Sequence, residues 1–89
     1  MQSIREIVLT EISDLLKHEN KDVDLSQITD NSILLETGID SLGFAIIVTR
    51  LELILGYDPF TLDPSPMYPK TLVEFVSFYE KYSEMRQEN

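Results

Sequence analysis

Apolar residues in this chain recur at helical spacing, and no stretch sustains the alternation of a half-buried strand. Ile4, Ile7, Val8, Ile12 and Leu15 form a first stripe. Just ahead of it stand Ser3 and Glu6, an S-x-x-E pair in which each side chain can satisfy a free backbone N–H at a helix start. Lys17 and His18 follow the stripe, where positive charge suits the negative end of a helix dipole. The pattern predicts a first helix ending near residue 18.

Residues 19–40 mix polar residues and turn formers with Val23, Leu25, Ile28, Ile33, Leu34 and Leu35. A connection of this length usually has a packing or functional reason. Its apolar residues predict that it crosses the bundle, with Leu25 and Ile28 as anchors. Gly38 can adopt a positive φ just before the next element. A second helix then begins near Asp40 and Ser41 and stops at Gly56, where a glycine can take the left-handed backbone that ends a helix. At about 100° per residue, Phe44, Ile47, Val48, Leu51 and Leu55 share one face, which is the core face. Leu42, Ile46 and Leu53 share another, about 160° from the first.

Pro59, Pro64, Pro66 and Pro69 exclude a long helix in the next segment and leave one short turn near Thr61–Asp63. Thr71 and Glu74 repeat the capping pair and open a last helix carrying Leu72, Phe75, Val76, Tyr79 and Tyr82. Phe75, Phe78, Tyr79 and Tyr82 read as core and rim residues, and residues 83–89 as a frayed tail. The expectation is a single all-α domain, a four-helix bundle of three long helices and one short one, with a long first loop.

Composition narrows the function classes. At 89 residues with 43% hydrophobic content, the chain supports one globular core. Sixteen acids against seven Lys and Arg give a net charge of −9, which repels nucleic acid and attracts basic partner surfaces. For most of these acids, solvation is the plainer role. The absence of cysteine excludes disulfides and thiolate metal sites and suits a reducing cytosol. Arg5, Glu6 and Glu11 interrupt any apolar leader, and no stretch is long and apolar enough for a membrane span. These features predict a cytoplasmic, monomeric protein with no nucleic-acid partner.

Several chemical signals fail on spacing. Asp22 and Asp24 begin like a calcium loop, but Gln27 stands where its turn glycine belongs. His18 is the only histidine, without ligand spacing, and nothing in the pattern brings it to Ser41 as a catalytic base. Glu52 and Glu74 lie on different helices with no reason to meet.

One stretch carries a stronger signal. LLETGIDSLGF, spanning residues 34–44, resembles the phosphopantetheine attachment motif of the acyl and peptidyl carrier protein family, in which Asp-Ser-Leu opens the second helix just after a glycine. Gly38, Asp40, Ser41 and Leu42 match that motif. The likeness extends over most of the chain, including the long first loop, the Gly56 stop and the TLVEF opening of the last helix. It implies an acyl-carrier-type bundle and a carrier rather than an enzyme. Ser41 is then the alcohol that attacks coenzyme A and bears a covalent 4′-phosphopantetheine arm, and a phosphopantetheinyl transferase supplies the base and magnesium. Asp40 is implied in recognition or metal positioning by that transferase. The further implied partners are an acyl- or aminoacyl-activating ligase and downstream acyl-transferring or condensing enzymes. The cargo stays open between acyl and aminoacyl or peptidyl groups.

The physics of the position agrees, since the first N–H groups of a helix are unpaired and its dipole favours an anion. Two plainer possibilities stand beside it: Ser41 or Asp40 acting simply as a helix cap, and an acidic helical interaction module without an arm. The resemblance has departures. Carriers of general fatty acid synthesis have acids on the outer side of the second helix, where this chain has Gly43 and Ile46. Glu52 is the only acid between Ser41 and Gly56, and Arg50 offsets it, which points to a specialised pathway. Leu42, Ile46, Arg50 and Leu53 are candidate partner-docking residues, unless the first loop or the proline-rich segment folds over them.

Overall fold

The computed structural model describes residues 2–21, 25–65 and 68–86, with the side chains of 25 and 84–86 excepted. Helix α1 (Ile4–His18) starts on the expected capping box: Ser3 Oγ accepts from the N–H of Glu6, and the Glu6 carboxylate accepts from the N–H of Ser3. Helix α2 (Ser41–Leu55) ends at Gly56, whose φ of 85° is left-handed. A single turn, α3 (Pro59–Leu62), and a last helix, α4 (Leu72–Arg86), complete the order. The chain is an all-helical bundle of three long helices and one short one, as the periodicity predicts.

Two boundaries differ from expectation. The short helix begins at Pro59, ahead of the predicted turn at Thr61–Asp63. Asp58 caps it by accepting from the N–H of Phe60 at 2.9 Å, and Pro59 occupies the first helical position, where its missing N–H costs nothing. The proline starts this helix. At the other end, α4 continues to Arg86, past the point where the apolar stripe runs out, so the tail expected to fray from residue 83 is helical through 86. Glu84, Met85 and Arg86 are good helix formers and need no apolar contact to extend the last turn.

α1 packs against both α2 and α4, and α3 packs against α4. The buried core draws Val8, Ile12, Leu15 and Leu16 from α1, Ile47 and Leu51 from α2, and Leu72, Phe75, Val76 and Tyr79 from α4. Phe44, Val48 and Leu55 flank it, so the predicted core face of α2 is the observed one. The Tyr57 hydroxyl donates to the Tyr79 carbonyl at 2.7 Å, while the buried Tyr79 hydroxyl has no partner among the described residues. Burial, then the nearby Asp58, Tyr57 and Glu52, push that phenol well above its ordinary range.

The first connection crosses the bundle. It includes 3₁₀ turns at Leu25–Gln27 and Leu34–Glu36, and it buries Ile28, Leu34 and Ile39. Ile28 is thus an anchor as expected; the Leu25 side chain and residues 22–24 lie outside the described residues. An antiparallel bridge between Ile33 and Thr71 fixes the connection to the start of α4. There Leu34 N–H donates to Lys70 O at 2.9 Å and Leu72 N–H to Ser32 O at 3.0 Å. Among the described residues, no helix is long and apolar enough to cross a membrane.

Candidate attachment site at the start of α2

The turn that delivers Ser41 is fixed from both sides. Ile39 is buried, and Gly38 before it adopts φ 110°, a conformation that L side chains rarely tolerate. The Lys21 ammonium donates to the Gly38 carbonyl at 2.6 Å, and the Thr37 hydroxyl donates to the Leu34 carbonyl at 2.6 Å. This brings Asp40 in with extended backbone as the N-cap of α2, its carboxylate accepting from the N–H of Gly43 at 2.7 Å.

The cap is therefore Asp40, and Ser41 is the first residue inside the helix. Ser41 is exposed, and its hydroxyl bonds to no described residue. Gly43 and Phe44 direct their N–H groups to the Asp40 side chain and carbonyl. The N–H groups of Ser41 and Leu42 have no partner among the described residues. An exposed alcohol thus sits beside two open donors at the positive end of a helix. These donors and the helix dipole favour an anion at this position, and the adjacent Asp40 charge tempers the field without occupying them.

Gly43 is more than the absence of an outer-face acid. It is buried, and a Cβ there would meet Leu15 Cδ2 at 3.1 Å, Asp40 Oδ1 at 3.2 Å and Ile39 Cγ2 at 3.3 Å. The glycine lets the first turn of α2 rest on α1 while the Asp40 cap stays in place. Placing position 43 on the exposed side is corrected accordingly, because α1 covers it.

Beside Ser41 lies an apolar cleft of about 570 Å³. The first connection contributes Leu34 and Leu35, α2 contributes Phe44 and Ala45, and the stretch before α4 contributes Tyr68 and Lys70. Ser41 itself lines it. The sequence offers no warning of this cleft, since its walls come from three segments distant in sequence, two of them joined by the Ile33–Thr71 bridge.

The predicted docking residues separate. Leu42 and Leu53 stand out at 71% and 81% exposure, uncovered by either loop among the described residues. Ile46 is half-buried against the core instead of standing on a ridge with them. It lines a groove with Ala45, Thr49 and Arg50. Arg50 reaches Glu11 of α1 at 3.8 Å, so it pairs across the helix interface. Arg50 is partly exposed and Glu11 largely covered, and a separation of that length makes the pair a weak one.

Comparison with protein-family models, with curated proteins and with solved structures finds no match for this chain.

Proposed function

We propose that this chain is a phosphopantetheine-dependent carrier protein, with Ser41 the attachment residue. The observation that carries the proposal is the division of labour at the start of α2: Asp40 takes the cap, which leaves the Ser41 hydroxyl exposed and without a bond to any described residue. A serine needed only as a cap would accept from the helix backbone, as Ser3 does in α1.

In the attachment step the Ser41 oxygen attacks the phosphoanhydride phosphorus of coenzyme A that bears the pantetheine. A new O–P bond forms, the anhydride P–O bond breaks, and adenosine 3′,5′-bisphosphate leaves. The hydroxyl proton passes to a base of the transferase, while the Asp40 carboxylate stays engaged with the N–H of Gly43. Ser41 and Leu42 N–H groups then face the phosphodiester, and Asp40 keeps the helix start rigid. The attached arm supplies a terminal thiol that holds cargo as a thioester. Leu42 and Leu53, with Arg50 near them on α2, form the docking side for a loading ligase and downstream enzymes of a specialised pathway.

The test is incubation with a broad-specificity phosphopantetheinyl transferase, magnesium and coenzyme A, followed by intact-mass measurement. A mass gain of one arm, lost in Ser41→Ala, is expected. An unchanged mass while a control carrier is modified in the same tube sinks the proposal.

A further inference from the structure

We infer that the Lys70 ammonium pairs with the phosphodiester at Ser41, so that the stretch before α4 holds the root of the arm; this rests on the carrier reading of Ser41. Residues 34–44, which contain the attachment motif, include no Lys or Arg. The tertiary structure supplies one from a distant segment. Ser41 and Lys70 line the same cleft, and Lys70 is the single charged residue on its wall.

Lys70 is held there by its backbone, which leaves its side chain free to act. Its carbonyl accepts from the N–H of Leu34 at 2.9 Å, and its own N–H donates to the Glu74 carboxylate at 3.1 Å. The Lys70 ammonium forms no ion pair or hydrogen bond with a described residue. Glu74 is the one carboxyl its charge touches, and there the Thr71 N–H acts first and the Lys70 charge least. Two other cations, Lys21 and Arg50, are committed. Lys21 donates to the Gly38 carbonyl at 2.6 Å and lies 3.3 Å from Glu19, and Arg50 reaches Glu11 at 3.8 Å.

Charge explains why the pairing matters. The chain carries a net charge of −9, and Glu36 and Asp40 already precede Ser41. The Asp40 carboxylate is fixed at the same turn by its bond to the Gly43 N–H. A phosphodiester adds a further negative charge there, and self-repulsion of this kind works against the folded chain. An ammonium on the same cleft offsets it. The other lining residues carry no charge that competes, and attraction across apolar walls is diluted less than attraction through open water. Lysine suits the task, because a point charge on a flexible stem follows a phosphate without demanding a two-pronged geometry.

The experiment compares apo and holo chains, the holo form made with transferase, magnesium and coenzyme A and confirmed by intact mass. Lysines are acetylated with a limiting N-hydroxysuccinimide ester and read by peptide mass spectrometry. Lys70 is expected to react about two- to five-fold more slowly in the holo chain, the bias an exposed ion pair of ordinary strength gives. Lys81, exposed on α4 and away from the cleft, is the internal reference. The protection should vanish near 1 M salt, where screening acts over roughly 3 Å. Protection that survives such salt is shielding by the bulk of the arm and overturns the inference. Urea unfolding then gives the change in folding equilibrium between apo and holo forms. Lys70→Gln should move that change by about two- to five-fold against the holo form, and Lys70→Arg should restore it. Equal labelling of Lys70 in the two forms, or the same apo-to-holo change in wild type and Lys70→Gln, overturns the inference while leaving the carrier reading intact. The labelling needs only the wild-type chain, so it decides even where the transferase disfavours a variant. No attachment to the wild-type chain removes both.

Discussion

Helices α2 and α4 each open on a capping side chain and end up in different states. At the start of α4 every N–H that a helix leaves without an internal partner is taken. Leu72 and Val73 donate to the carbonyls of Ser32 and Asp30, Glu74 to the Thr71 hydroxyl, and Phe75 to the Thr71 carbonyl. At the start of α2, among the described residues, only the third and fourth donors, Gly43 and Phe44, are engaged. The first two stay open beside an exposed serine. α4 shows that this chain can close a helix start completely with its first connection, and the start of α2 is not closed in that way. The two serines differ by one position. Ser3 stands outside its helix and is consumed by the cap; Ser41 stands one residue inside, behind Asp40.

The largest expected effect separates chemistry from stability at these starts. Ser41→Ala should abolish arm attachment by intact mass while shifting unfolding by no more than about 0.5 kcal/mol, since the hydroxyl bonds to no described residue and alanine is the better helix former. Ser3→Ala should do the reverse, costing about 1 kcal/mol in urea unfolding and leaving attachment unchanged. A large stability loss in Ser41→Ala would show that its hydroxyl does structural work after all. Next in size is Asp40→Ala, which removes the only side-chain cap of α2 and should cost about 1 kcal/mol while slowing attachment. Thr71→Ala should cost less, about 0.5 kcal/mol, toward the low end of cap losses, because the carbonyls of Ser32 and Asp30 still hold the first two donors of α4. Equal losses at positions 40 and 71 would contradict the contrast between an open and a closed start.

Much of this frame was legible from residue order. The two S/T-x-x-E pairs, the stripes of α1, α2 and α4, and the glycine stop at Gly56 are local signals, and the structure places each where the pattern predicts. What stayed hidden depends on contacts between distant segments. Gly43 reads as a missing surface acid until Leu15 is seen against it, and Ile46 reads as a ridge residue until its contact with the core is seen. Asp58-Pro59 carried a readable start signal for α3, overshadowed by the four prolines taken together. The cleft had no linear signature, because Leu35, Ala45 and Tyr68 meet only through tertiary pairing.

The smallest effect tests whether the closed start of α4 depends on charge. The Glu74 carboxylate accepts from the backbone N–H of Thr71 and Lys70 and from the Thr71 hydroxyl. These bonds, the Thr71 N–H first, hold its carboxyl below the ordinary value of 4.5. The folded chain therefore binds fewer protons at this site than the unfolded chain as the pH falls past that value. The resulting stabilisation is fully present above about pH 4.5 and is lost as pH drops through the folded value. Asp63, held below its ordinary 3.8 by the Ser65 N–H and then the Tyr82 hydroxyl, adds a loss of the same sign at lower pH. Glutamine at position 74 keeps a capping acceptor but cannot titrate. Glu74→Gln should therefore be less stable than the native chain at pH 7, should converge with it in acid, and should flatten the decline of thermal stability below about pH 4.5, where the native carboxylate otherwise takes up its proton. An unchanged slope would mean that the start of α4 is held by the carbonyls of the first connection, with its charged cap adding nothing that acid can remove.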